Sequence, residues 1–262
     1  MKEFLTVEGK KIWYRIINAT PTFHEHPVLV FLHEGLGCSE QWRDFPEVIS
    51  NRCGMPALVF DRYGYGQSQA KDEPNTGWYM HNEAYKFLPE ILEQLGIYHK
   101  VILVGHSDGG TIALLFAGRF PEKTLAVVSE CDHVMCEEIT IRGVQQVVQS
   151  YELGQLKPLL QKYHGEKTDS LFYGWTGFWL SDKAKSWDIT REVEAVKAPL
   201  LAIQGENDGY GSVEQLVVKL RHAKGPVQIN LLDGCGHVPH HEQPERVTEL
   251  MVQFINSVTK DL

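Results

Sequence analysis

The chain has 262 residues, 43% of them hydrophobic, a formal net charge of −9 and five cysteines. That length and apolar content suit one domain of α/β size with a full core. The acidic balance, with no basic run of five or more, argues against nucleic acid or an anionic membrane as the main partner. Cys38, Cys53, Cys131, Cys136 and Cys235 form an odd, scattered set without C-x-x-C. A reducing cytoplasm therefore fits better than a disulfide framework or a structural zinc site. Residues 1–9 lack the apolar stretch of a signal peptide, and no apolar run approaches the length that spans a bilayer.

In chain order, residues 3–7 and 10–17 read as two strands about the turn Glu8-Gly9, their alternation suiting an antiparallel edge. Residues 18–27, with Pro21 and Pro27, form a loop. The fully apolar run 28–32 predicts a strand covered on both faces, and it leads into His33-Glu34-Gly35-Leu36-Gly37. A helix is expected over 39–50 with Ser39 as its N-cap. Residues 57–61 are the next strand, followed by Arg62-Tyr63-Gly64-Tyr65-Gly66-Gln67-Ser68. A helix over 81–95 ends at Gly96. Residues 125–130 give a further strand, and roughly 65 residues of helical composition then precede a strand beginning near Pro199. Residues 227–232 form the last strand. A final helix from Pro244 to about Val258 carries the stripe Val247, Leu250, Met251, Phe254, Ile255 and Val258. No repeat or linker interrupts this βαβ rhythm, which predicts a parallel, doubly wound sheet with the active residues at the strands' C-terminal edge. The glycine pairs at 35/37 and 64/66 do not make the dinucleotide fingerprint G-x-G-x-x-G, so a nucleotide-binding reading fails.

The stretch 101–117 carries the chemistry. Four apolar β-formers run into Gly105-His106-Ser107-Asp108-Gly109-Gly110, and 111–117 reads as a helix. Strand, sharp turn and helix with serine at the apex make a nucleophile elbow, G-x-S-x-G. Ser107 takes a strained backbone that lifts its hydroxyl, and Gly105 and Gly109 let strand and helix pass close. The N–H of Asp108, at the positive end of the new helix, serves an oxyanion. Downstream, the strand near 199–204 ends in Gly205-Glu206-Asn207-Asp208, and the last strand leads to Gly234-Cys235-Gly236-His237. Ser107, Asp208 and His237 thus follow in the order Ser…Asp…His.

With that order in place, nearly the whole chain resembles the α/β-hydrolase superfamily. The resemblance implies a mostly parallel, doubly wound sheet of about eight strands, a core of residues 1–132 and 195–262, and a helical cap over 133–194. It places the second oxyanion N–H on Gly35 and makes 61–68 a structural turn similar to D-x-x-G-x-G-x-S. Glu34 departs from the family's usual glycine and brings a side chain close to the oxyanion site. That side chain is either structural or positions a water or a polar substrate group. His33 orders the turn. The cap holds Phe172, Tyr173, Trp175, Phe178, Trp179 and Trp187, expected mostly as its own small core, with Trp175 and Trp179 as candidates for the pocket. His133 is a further pocket candidate, and His164 reads as a helix end. Some members of the superfamily carry the triad acid where Asp132 stands, but Asp208 has the better turn context.

The resemblance implies a serine hydrolase acting through an acyl-enzyme, first as a carboxylesterase on a small or medium ester. A C–C bond hydrolase, a thioesterase, and a ligand-binding protein with weak turnover are the alternatives. Glu34 and Asp108 would disfavour anionic substrates if their side chains face the site. No cofactor or metal is needed: His237, His240 and His241 look metal-like, yet Gly-x-Gly-His already explains the first, and His-Glu-x-x-His is not formed because Gly37 stands where the second histidine is required. The expected partner is a small-molecule substrate, and monomer and homodimer remain open.

Overall fold

The computed structural model describes residues 3–72 and 78–260; the outermost residues of the expected core, Met1, Lys2, Asp261 and Leu262, lie outside these. Eight strands form one sheet: β1 (Glu3–Val7), β2 (Lys10–Ile17), β3 (Leu29–Leu32), β4 (Ala57–Phe60), β5 (Val101–His106), β6 (Thr124–Glu130), β7 (Leu200–Gly205) and β8 (Val227–Leu232). Their spatial order is β1-β2-β4-β3-β5-β6-β7-β8. β2 runs antiparallel to β1 and β4, and every pairing from β4 to β8 is parallel. The buried apolar runs of β3, β4, β5 and β7 follow from this position, because helices cover both faces of a parallel sheet.

The helices are α1 (Phe45–Cys53), α2 (Tyr79–Asn82), α3 (Leu88–Gln94), α4 (Asp108–Arg119), α5 (Glu138–Glu152), α6 (Lys157–His164), α7 (Thr168–Trp179), α8 (Asp182–Lys185), α9 (Thr190–Val193), α10 (Glu214–His222), α11 (Pro239–Glu242) and α12 (Pro244–Thr259). One face of the sheet packs with α4, α9 and the α2–α3 segment. The other packs with α1 and α12. On α12 the stripe Val247, Met251, Val252, Phe254 and Ile255 is buried, and each such side chain stabilises the fold by roughly 1.5–3 kcal/mol.

Three expectations need correction. The helix expected over 39–50 is two pieces, a 3-10 turn Ser39–Trp42 and α1, separated by Arg43 with φ of +55°. Ser39 caps neither; its N–H donates instead to Asp61 Oδ1 at 2.8 Å, which ties this turn to the end of β4. The helix expected over 81–95 starts at Tyr79 and contains a π-helical turn, Glu83–Phe87, between α2 and α3. Finally, the aromatics expected mostly as a core of their own do not form one together, since four of the six join the main core.

Between β6 and β7 the chain runs through α5 to α9. The two ends of this segment are clasped: Ile189 N–H donates to Val134 O at 2.8 Å, and Cys136 N–H to Trp187 O at 3.1 Å. Its aromatics divide. Phe172 stacks on Tyr151 at 3.6 Å and, with Leu160, forms a small core of its own. Trp175, Phe178, Trp179 and Trp187 instead join the main core, while Tyr173 is exposed.

Candidate active site

β5 ends at His106 and α4 begins at Asp108, so Ser107 alone makes the turn. Its φ of +53° and ψ of −122° are strained for a residue with a side chain. Neighbouring hydrogen bonds hold it: Ser107 N–H donates to Glu130 O at 2.8 Å, and Thr111 N–H to Ser107 O at 3.1 Å. The glycines are needed for space. A Cβ on Gly105 would lie 2.3 Å from Gly109 O, and one on Gly109 would lie 1.9 Å from Leu32 O.

The three candidates for the triad come together. Ser107 Oγ lies 3.1 Å from His237 Nε2, and His237 Nδ1 lies 2.9 Å from Asp208 Oδ1. An ionised carboxylate only accepts, so Nδ1 carries the hydrogen and Nε2 is left to accept from the serine hydroxyl. Asp208 is fixed from two further sides, by Tyr210 N–H on Oδ1 at 2.8 Å and Gln204 Nε2 on Oδ2 at 2.6 Å. Burial would raise its pKa, but His237 and the Tyr210 N–H override that and hold it at about 2. For His237, burial, with His106 and His133 nearby, outweighs Asp208 and lowers the pKa below the ordinary histidine value. The imidazole is therefore neutral, and able to take a proton, at neutral pH.

The loop carrying His237 is braced by Glu242, whose carboxylate accepts Gly236 N–H at 2.6 Å and Val238 N–H at 2.9 Å. His106, the residue before the elbow serine, donates its Nε2–H to His237 O at 2.7 Å. Elbow and histidine loop are thereby stapled by one buried side chain.

On the opposite side, the N–H groups of Gly35 and Asp108 have no protein acceptor among the described residues. His33 orders this turn. Its Nε2 accepts Arg62 N–H at 3.1 Å, which leaves Nδ1 to donate to Glu34 O at 2.9 Å. Burial, then the Arg62 charge, holds the His33 pKa well below normal and keeps that neutral tautomer. Arg62 itself is buried, donates through Nη2 to Glu34 O at 2.6 Å and faces Asp108 Oδ2 at 3.7 Å. Tyr79 Oη donates to the same carboxylate at 2.7 Å. The negative charge of Asp108 is thus taken up by Arg62 and Tyr79.

Glu34 is placed differently. Its carboxylate folds over Gly37, where a Cβ would lie 2.1 Å away, and faces His106 Nδ1 at 3.7 Å. Burial would raise its pKa, but His106 and His33 hold it far below the ordinary carboxylate value. The indole of Trp175 covers Gly35, its Nε1 2.1 Å from a Cβ built there, and reaches Asp108 Oδ1 at 3.5 Å.

Ser107, Asp108, His237, Glu34, Gly35, His133, Trp175 and Trp179 all line one cavity of about 100 Å³, together with Leu36, Val144 and Val147 among others. At roughly 30 Å³ per water that is space for about three waters. Asp132 takes no part: its Oδ1 meets Lys219 Nζ at 2.5 Å, with both side chains fully buried. His164 does end α6, but it also links two turns, accepting Gly66 N–H at 3.0 Å and donating to Leu36 O at 3.0 Å. The metal-like triplet separates, because His237 turns to Asp208 and His240 to Glu130 at 2.6 Å. The roles of His106, Arg62, Tyr79 and Gln204 are not visible in the sequence. Only His106 carried a signal, its position inside the elbow motif.

A family model described as the alpha/beta hydrolase fold matches residues 27–154. The structure superposes on MGS-M2, an alpha/beta hydrolase enzyme from a Medee basin deep-sea metagenome library, with a TM-score of 0.78 and 19% identity over 97% of each chain. The chain has the α/β-hydrolase fold. It is 24% identical to the proline iminopeptidase of Saccharolobus solfataricus, covering 95% of this chain and 90% of that one. It is also 24% identical to a putative 2-succinyl-6-hydroxy-2,4-cyclohexadiene-1-carboxylate synthase of Bacillus subtilis, covering 94% and 95%. The family match runs from the start of β3 through α5 and so includes the elbow and the turn at 33–37; Asp208 and His237 lie beyond it.

Proposed function

We propose that this protein is a serine hydrolase that cleaves a small carboxylic ester through an acyl-enzyme, with residues 133–194 as the cap over the site. The observation that carries the reading is the relay from Ser107 Oγ to His237 at 3.1 Å and on to Asp208 at 2.9 Å. The names of the relatives span a peptidase and a synthase, so the site rather than the likeness bears the choice of bond.

His237 Nε2 takes the Ser107 proton as Oγ bonds to the ester carbonyl carbon. The carbonyl oxygen, now an alkoxide, is met by the N–H groups of Gly35 and Asp108; one such donor is worth about 2.7–4 kcal/mol in serine hydrolases. When the tetrahedral centre collapses, the C–O bond to the alcohol breaks and His237 returns the proton to the leaving oxygen. Water then enters, His237 takes one of its protons, and the acid leaves as Ser107 is restored. Asp208 stabilises the imidazolium in both halves. The cavity of about 100 Å³ favours a small acyl group over a long one.

The reading is tested with a fluorophosphonate probe. Intact mass should show one adduct per chain, peptide mapping should place it on Ser107, and His237→Ala should abolish labelling. An adduct elsewhere, or undiminished labelling of His237→Ala, would overturn the assignment.

A further inference from the structure

The cavity presents more acceptors than the proposed ester chemistry uses. Glu34 lines it with a side chain that is 24% exposed. Its nearest partner is His106, whose Nδ1 lies 3.7 Å from Oε2, with His33 also drawn to it; among the described residues no lysine or arginine forms an ion pair with it. An ionised carboxylate has about four acceptor sites, so at that distance most of them stay open.

His133 supplies a second, independent acceptor. It is 4% exposed. Its Nε2 sits 3.0 Å from Tyr210 O, and a carbonyl only accepts, so Nε2 carries the hydrogen. With that hydrogen on Nε2, Nδ1 can accept, and this atom is buried with no partner among the described residues. A buried acceptor left unmade costs more than a made bond returns, so a donor that enters the cavity and reaches Nδ1 would be favoured there. Several of the other lining groups offer none. Thr140 Oγ1 is committed to Tyr210 O at 2.6 Å, Trp175 Nε1 reaches toward Asp108, and Leu36, Val144 and Val147 are apolar. Trp179 Nε1, also unpartnered, offers a single neutral donor, which suits an ester oxygen and does not counter a carboxylate.

Resting on the serine-hydrolase reading above, we infer that this cavity contains a subsite for a protonated amine, formed by the Glu34 carboxylate and His133 Nδ1, and that the preferred esters carry an ammonium group. A carboxylate favours a cation over a neutral donor, which selects an ammonium over a hydroxyl. The position of Glu34 beside Gly35 puts this preference next to the reacting carbonyl. The low pKa of Glu34 agrees with a permanent negative charge there.

The test uses isosteric esters. On the acyl side, L-alanine ethyl ester is compared with ethyl lactate and ethyl isobutyrate. On the alcohol side, 2-(dimethylamino)ethyl acetate is compared with 3-methylbutyl acetate. Each is run at a pH where the amine is protonated. In at least one series kcat/KM for the ammonium ester should exceed its neutral isostere by about tenfold or more, the scale of one charge-assisted hydrogen bond. Glu34→Gln should collapse that ratio toward unity, and His133→Phe should reduce it. Equal or faster turnover of the neutral esters in both series overturns the ammonium subsite while leaving the hydrolase reading intact; faster turnover of lactate than of alanine and isobutyrate would show a hydroxyl site instead. A ratio unchanged in Glu34→Gln removes Glu34 from the subsite. No turnover of any ester defeats the hydrolase reading, and the inference with it.

Discussion

Asp208→Asn is the most informative perturbation of the relay. Asp208 Oδ1 accepts from both His237 Nδ1, at 2.9 Å, and Tyr210 N–H, at 2.8 Å, while Oδ2 accepts from Gln204 Nε2 at 2.6 Å. An asparagine must put its NH2 at one of these two places. If it replaces Oδ2, it meets the Gln204 NH2 donor to donor. Gln204 cannot simply flip, because its Nε2 also donates to Gly211 O at 3.1 Å. If it replaces Oδ1, it opposes the Tyr210 N–H and forces His237 into the tautomer that cannot accept from Ser107. Either way the negative charge facing the imidazolium is gone. The expected loss in kcat/KM is about 10³- to 10⁴-fold, roughly 4–5.5 kcal/mol of transition-state stabilisation. Steady-state kinetics on a short-chain ester reads it, with circular dichroism to show the fold is kept. A folded variant within tenfold of wild type would refute the assignment of Asp208 as the orienting acid.

Other consequences follow from the same geometry. Lys219→Met strands the fully buried Asp132 carboxylate, and urea unfolding should show a loss of about 3–5 kcal/mol; a loss under 1 kcal/mol would contradict the pairing. Gly109→Ala drives a Cβ to 1.9 Å from the backbone oxygen of Leu32, so the variant should be insoluble or destabilised by at least about 3 kcal/mol, and wild-type stability would refute the close approach. The pH profile follows from His237, which must be neutral to accept a proton. Its pKa is depressed below 6.5, so kcat/KM should hold as the pH falls to 6.5 and drop only below it. An acid limb centred above that value would contradict the burial argument.

The sequence was most legible where one local stretch determines the structure. Fully apolar runs such as 101–104 can only be buried strands here, and the elbow glycines announce a close crossing. The order Ser107, Asp208, His237 could be read because each stands just past a strand, and strands end at the same edge of a parallel sheet. What could not be read depends on pairs far apart in the chain. Nothing near Asp132 announces that Lys219, from α10, neutralises it. Nothing near Asp108 announces Tyr79 and Arg62, so its charge looked like part of the site's field when it is already met. The break in the helix over 39–50 has the same origin, since Ser39 N–H is claimed by Asp61 and a serine that reads as a cap is used otherwise. Glu34 was conspicuous as a departure from glycine, but its placement over Gly37 and opposite His106 arises only where distant strands meet.

The central claim is tested most directly by hydrolysis of p-nitrophenyl esters from acetate to decanoate, run side by side on wild type and Ser107→Ala. Turnover by wild type is expected with its optimum at the short acyl end, in keeping with the cavity of about 100 Å³, and none by the folded variant. Turnover retained in Ser107→Ala, or no turnover by wild type on any chain length, would contradict it.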